Sequence, residues 1–558
     1  MPFANPFPRG AARIALLLAA LSVPHVSLCA QTVLDRTEPT QAVDEKDTRE
    51  VEIDDAPRIE AVVPLKTASR VLPDGRFVIG SFLIDGNEAL PDASFVDLFE
   101  TFTARPLTRA DLATLADAVA ARAREEGYIL ATATIPQQSL NLGMLRIELD
   151  EGRIDRIELD GAQDAAIRRQ LAPLIDAGPI TGAELERRIL LADDISGTRI
   201  LDTRYEKDGE DGVLLVRARR SHAYAEVELR NDGSAPVGPE RAEIAVDFNG
   251  LIDSADEVDF SVRTTPFEPG ELQAVQASYR AVVDARGLEL GIYGSYSAIE
   301  PGAFLEDREI DGRFWRVGAQ LSYPLLRRQD TSVWLLGEFE VTDLRQERGG
   351  SIARHDWVPA IRAGLYSRGN LAGGDYRGRL ILSRGLDILS ATDPGDPLAS
   401  RDDASARFTS LYAWFAWDRP VAEDWSLAIG GRGQLASGPL LATEDLGLGG
   451  PGFLRGYNYN ERSGDRGIMG YGELRRAWDG SGDWLRGGHL YAYVDGGVVS
   501  NLEGGRGGGS LASAGGGVRF DVTRDLELDL ELAFPLSGAR FDTDSEAPLV
   551  NVRIEQSF

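Results

Sequence analysis

The sequence predicts a transmembrane β-barrel of about sixteen antiparallel strands, preceded by two small α+β modules. Three observations lead there. From about residue 221 onward, apolar and charged residues alternate with period two in segments about ten residues long. Ahead of them, one strand–helix–helix–strand–strand pattern occurs twice, its first strands ending at Asp85-Gly86 and Asp160-Gly161. No segment of the 558-residue chain approaches the run of apolar residues that a membrane-crossing helix needs.

Composition agrees with this and narrows the function. The formal net charge is −30, which argues against a nucleic-acid partner, because a phosphate backbone needs a basic face. A barrel with a wet lumen holds such charge on its inner wall. The 61 glycines suit a chain of many short strands and turns.

The elements follow in order. Residues 1–30 read as a signal peptide: Arg9 and Arg13 precede the apolar run from Ile14 to Leu21, and Ser27-Leu28-Cys29-Ala30 supplies the cleavage region. Leu28 stands where a lipoprotein site needs a small residue, so Cys29 is not read as a lipid anchor. It is the chain's one cysteine, so no disulfide framework is expected. Residues 31–75 are acidic and broken by prolines, and read as a flexible linker without the apolar stripe of a helix.

Residues 76–152 form the first module and 153–220 the second. In the first, Thr108 caps a helix and Asp111 completes a capping box; Leu112, Leu115, Ala116, Val119 and Ala123 form its buried stripe, and Gly127 ends it. In the second, Thr181 and Glu184 repeat the capping pattern, and Leu185, Ile189 and Ala192 form the stripe.

Residues 221–558 are the barrel. Val227 and Leu229 alternate with Glu226 and Glu228; Val258, Phe260 and Val262 alternate with Asp259 and Arg263; Leu528 and Leu530 alternate with Asp529 and Glu531. The apolar set faces lipid and the charged set faces the lumen. Sixteen such segments are counted, centred near 227, 245, 261, 277, 292, 318, 336, 362, 380, 411, 429, 472, 492, 516, 530 and 554.

Two motifs stand out within the barrel. Leu454-Arg455-Gly456-Tyr457 lies in a Gly-rich connection between the eleventh and twelfth strands. Tyr493-Val494-Asp495-Gly496-Gly497 lies on the thirteenth. Period two puts His489, Tyr491, Tyr493 and Asp495 on one face and Leu490, Ala492 and Val494 on the other, so Asp495 faces the lumen. A guanidinium in a narrow pore is costly unless a carboxylate meets it. Arg455 is therefore expected on the Asp495 carboxylate, with Glu473 of the twelfth strand as a second acceptor. Gly456 allows a sharp turn or a close approach to the wall, and Tyr457 packs beside the pair.

Together the two motifs resemble the signature of the outer-membrane proteins that move or insert polypeptides. The tandem modules resemble POTRA (polypeptide-transport-associated) domains, and the terminal Phe558 after alternating apolar residues resembles an outer-membrane sorting signal. The whole is most similar to the two-partner secretion transporters of the ShlB/FhaC type. The resemblance implies a lock built from Leu454, Arg455, Gly456, Tyr457, Tyr493, Asp495 and Gly497. It implies a secreted exoprotein such as a haemolysin or filamentous adhesin as partner, with outer-membrane lipids and the barrel-assembly machinery during biogenesis. It also suggests that part of 31–75 plugs the pore, and that cargo binds beside the second module's helix near Leu185 and Ile189. The alternatives are an insertase, which usually carries more POTRA units, and a passive porin, which leaves the modules unexplained. No nucleophile, paired acid–base site, metal-ligand spacing or cofactor motif is seen; Gly447–Gly452 resembles a phosphate loop but lacks its Lys-Ser/Thr.

Overall fold

The computed structural model describes residues 33–42, 58–60 and 77–558, apart from 139–142, 163, 176 and 483. The expected signal peptide lies outside the described residues, as does most of 31–75.

Sixteen antiparallel strands, from Ala223–Arg230 to Leu549–Ser557, close into a barrel. Each of the sixteen segment centres read from the sequence falls on one of them. The first and sixteenth strands pair from Glu226↔Ser557 to Arg230↔Arg553. Closure leaves no strand edge to face hydrocarbon, where an unpaired backbone group cannot be satisfied. The faces follow the alternation. Ile244, Phe260, Leu490 and Leu530 are exposed on the outer wall, while Glu228, Glu243 and Asp495 are buried on the inner one. The sixth, seventh and eighth strands run 18, 18 and 21 residues, well beyond the expected ten. Their tight hairpins keep pairing past the length a membrane requires.

The first module is a three-stranded sheet in the order Ser81–Asp85, Met144–Asp150, Thr132–Thr134, with helices Val96–Phe102 and Arg109–Glu125. The predicted stripe of the longer helix is fully buried against Leu145 and Ile147. Its capping box forms, and Gly127 ends it at φ +102°.

The second module has the order Arg58–Glu60, Thr198–Asp208, Asp211–Arg220, Arg156–Gly161, with helices Ala165–Leu171 and Gly182–Asp193. Here only half of the expected capping box forms. Thr181 accepts from the Glu184 N–H, but the Glu184 carboxylate pairs with Arg188 one turn on at 2.6 Å. A charged partner at i+4 outcompetes the backbone N–H.

The modules are joined to each other and to the barrel. Gly182 N–H donates to Gly127 O at 2.9 Å, and Lys207 pairs with Asp150 at 2.7 Å. Arg169 donates to Val282 O and Gln170 to Asp284 O, both at 2.7 Å, and Arg327 of the barrel grips Asp194 through two bonds of 2.6 and 2.7 Å. The second module thus seats on the barrel's module-end turns.

One expectation is overturned for part of its range. Residues 33–42, expected within a flexible linker, lie inside the barrel. Val33–Arg36 forms one helical turn and Pro39–Ala42 a 3-10 turn. Gln346 donates to Leu34 O, Ser297 to Pro39 O and Arg241 to Gln41 Oε1. Arg354 pairs with Asp35 at 2.6 Å. The lumen is polar, so a segment that fills it binds through hydrogen bonds and needs no apolar stripe. That is why periodicity missed it.

Candidate functional site

The connection between the eleventh strand, Trp425–Ala436, and the twelfth, Arg466–Gly482, folds back into the barrel. A small two-stranded ladder, Leu446–Leu448 with Arg462–Gly464, stiffens its arms. Its inner end packs as a compact apolar unit: Leu448, Phe453, Leu454 and Tyr457 are buried with Met469, Val499 and Leu511 of the wall. This burial drives the loop inward, and the polar contacts at its tip fix where it stops.

Those contacts divide the labour differently from the expectation. Arg455 Nη2 donates to Glu473 at 2.8 Å and Nη1 donates to Glu531 at 3.1 Å. Asp495 lies farther off, 3.8 Å from Nε. Its carboxylate instead accepts the backbone N–H groups of Leu454, at 2.9 Å, and Arg455, at 3.2 Å, and the Ser513 hydroxyl. The expected pairing of Arg455 with Asp495 is thus present as a longer ion pair, while the direct guanidinium bonds go to Glu473 and Glu531. The short Asp495 side chain is taken up by the loop backbone, while two longer glutamates reach the guanidinium. The guanidinium carbon also lies 3.3 Å from the centre of the Tyr493 ring, a close cation–π contact.

Each remaining motif residue has a definite place. Leu454 adopts φ +63°, an unfavourable conformation for a branched side chain, and its N–H is held by Asp495. At Gly456 an added Cβ would lie 2.9 Å from the Phe534 carbonyl carbon, the Pro535 nitrogen and the Ser513 Cβ, so the role is close approach to the wall. Gly456 N–H donates to Ser513 Oγ, and Arg540 donates to Gly456 O. Tyr457 donates to Gly538 O at 3.2 Å and accepts the Ser537 N–H at 2.8 Å. At Gly497 a Cβ would lie 2.9 Å from Leu448, so this glycine admits the loop.

Sequence reasoning missed Glu531, Ser513 and Arg362. Arg362 of the eighth strand grips Glu444 on the loop's descending arm with two bonds, 2.8 and 3.1 Å. It also missed Glu461, on the ascending arm, which meets Arg36 of the inserted N-terminal segment at 3.4 Å. Period two places Glu531 and Arg362 on the lumen face, but which loop residue crosses the barrel to meet them is not a local property. Leu185 and Ile189 are also corrected. Both are buried in the second module's own core, so neither side chain is presented to a cargo.

Below the loop lies a cavity of about 1480 Å³, running from Arg524 and Asp525 at a module-end turn up to Phe453 and Arg455. Its wall is charged: Arg280 pairs with Glu257 at 2.8 Å and Arg519 with Asp529 at 2.9 Å. Most of the side chains that line it are charged or polar.

The comparisons with known proteins converge on one family. The model of the haemolysin secretion/activation protein ShlB/FhaC/HecB matches residues 209–520, and that of the ShlB-type POTRA domain matches 77–152. Among characterised proteins, the heme/hemopexin transporter protein HuxB of Haemophilus influenzae is 20% identical over 395 residues, 69% of each chain. The outer membrane transporter CdiB of Escherichia coli is 22% identical over 421 residues, 72% of this chain and 69% of that one. Among solved structures, CdiB from Escherichia coli superposes with a TM-score of 0.73 at 19% identity, covering 95% of this chain and all of that one. CdiB from Acinetobacter baumannii gives 0.62 at 15% identity, covering 88% and 91%.

Proposed function

The chain belongs to the haemolysin secretion/activation family, and from that premise we propose that it carries an unfolded exoprotein from the periplasm through its barrel to the cell surface. It is an outer-membrane transporter with POTRA structure on the periplasmic side, working by two-partner secretion. The observation that carries the mechanism is the infolded loop, clamped at its tip by Asp495, Glu473 and Glu531. In this reading the loop is a gate, and Arg455 holds it in the resting position. Residues 33–42 fill the lumen beside it and act as a plug. Cargo must displace both.

The domain plan follows: an N-terminal signal peptide, the lumen segment and its tether, POTRA domains over 76–152 and 153–220, and the barrel. Cargo capture is placed at a sheet edge, where an extended segment adds as a strand. In the second module one edge is already covered by Arg58–Glu60, paired in parallel with Asp202–Arg204. The first module's Ser81–Asp85 has no strand on its outer side among the described residues, and Leu83 is exposed there. We place capture at that edge rather than at Leu185 and Ile189. No nucleotide motif is seen, so folding of the emerged cargo supplies the drive. Outer-membrane lipids surround the barrel, and the barrel-assembly machinery inserts it.

The test compares proteins released by, or exposed on, cells with and without this transporter. A specific exoprotein should be lost with it. An unchanged set of exported proteins would overturn the reading and revive the insertase or porin alternatives.

A further inference from the structure

The infolded loop is held at a second place, far from Arg455. At the end of the barrel opposite the modules, residues 386–408 connect the ninth strand, Gly374–Gly385, to the tenth, Thr409–Ala422. This connection turns inward. Ala399, Ala404, Ala406 and Phe408 pack against Val358 and Ala360 on the lumen side of the eighth strand and against Leu440 and Leu441 of the infolded loop. Ser400 Oγ accepts the Ala442 N–H of that loop at 2.9 Å.

One buried carboxylate ties the arrangement together. Asp465, at the foot of the infolded loop, has no exposed surface. It accepts from Arg401 at 2.6 Å, from the Leu440 N–H at 2.7 Å and from the Leu502 N–H at 2.5 Å. Arg401 reaches on to Asn501 Oδ1 at 3.2 Å and Leu502 O at 3.1 Å, in the connection between the thirteenth and fourteenth strands. Asp403 fixes Arg401 and also accepts the Gly504 N–H. Arg401 and Asp465 therefore span three surface connections and cross the base of the infolded loop.

We propose that residues 386–408 form an outer strap, latched by Arg401 to Asp465, that holds the infolded loop in place from the surface side and must open before cargo emerges. Backbone hydrogen bonds tie the strap to the eighth strand, His355 N–H donating to Leu398 O at 2.7 Å and Thr392 N–H to Trp357 O at 3.0 Å. Its hold on the infolded loop is lighter: mostly alanine contacts, which bury little area each, the Ala442 N–H bond, and the Arg401–Asp465 ion pair, whose members water solvates once they part. The inner clamp at Arg455 and the outer latch at Arg401 then act in series on one loop.

This rests on reading the loop as a gate, and the test separates the two. The exported protein is purified from the outer membrane and placed in planar bilayers in potassium chloride, and pore openings are counted. Arg401→Ala should open several-fold more often than the parent. Adding Ser400→Cys and Ala442→Cys and oxidising the pair should return Arg401→Ala to the parent's level, and reduction should restore the openings. If Arg401→Ala does not assemble, Asp465→Asn carries the same comparison. A folded Arg401→Ala barrel that opens no more than the parent overturns the strap, as does an oxidised pair that leaves openings unchanged. Arg455→Ala is the control. If it opens freely while the strap variants do not, only the strap fails; if it too stays shut, the gate reading fails with it.

Discussion

Arg455 is the residue on which most of the site turns. Its guanidinium is largely buried, between Glu473 and Glu531 and over the Tyr493 ring. Removing one member of a fully buried ion pair costs about 3–5 kcal/mol, and lumen water lowers that figure here. Arg455→Ala should release the loop and sharply reduce cargo at the cell surface, with the barrel still in the membrane. Asp495→Ala should do the same by freeing the loop backbone. The double variant should be little worse than either, because both act on one loop. Surface cargo at matched transporter abundance checks this, and additive losses would show that the two residues are independent. Gly456→Ala gives a steric version of the same test. Its methyl meets wall backbone at 2.9 Å, so the tip cannot seat and secretion should fall as it does for Arg455→Ala. Asp495 and Glu473 were legible because alternation assigns each strand residue a face, and Arg455 because it stands in the Leu-Arg-Gly-Tyr motif of a Gly-rich connection. Glu531 and Ser513 were not, because their meeting with the loop depends on how sixteen strands close.

At the scale of elements, each strand carries one lipid face and one wet face. Phe260 points outward and Ser278 inward beside Asp259. Phe260→Arg should cost about 2–4 kcal/mol of barrel stability if it lies near the bilayer midplane. Ser278→Arg should cost much less, since its cation meets a carboxylate. Unfolding in urea from lipid bilayers measures both, and equal costs would mean the faces are misassigned. The helix caps show how far local reading goes. Thr108–Asp111 formed the full reciprocal box, whereas Glu184 turned to Arg188. The lumen segment shows where it stops. Residues 33–42 have no periodicity, and their structure comes from partners such as Ser297 and Gln346, 258 and 312 positions away from the residues they bind.

At the scale of the whole molecule, the modules and barrel are one continuous assembly. The second module grips the barrel's module-end turns through Arg169, Gln170 and Asp194, and the first module is joined to the second through Gly127–Gly182 and Asp150–Lys207. Deleting 76–220 should abolish secretion while leaving a folded, heat-modifiable barrel, because the barrel's own strands pair without it. Secretion by the barrel alone would remove the capture role.

What the amino-acid order determined by itself is everything that repeats or is local: the strand period, the tandem modules, the capped helices and the lumen-facing side of Asp495. These depend on the angle between neighbouring side chains, which the backbone sets within a few residues. What only the tertiary structure decided is who meets whom across the lumen. Glu531 beneath Arg455, Arg36 against Glu461 and Arg401 on Asp465 are contacts between distant segments. They exist only once the barrel has closed and its connections have folded into a confined polar space, where each charge must find an opposite charge or remain in water.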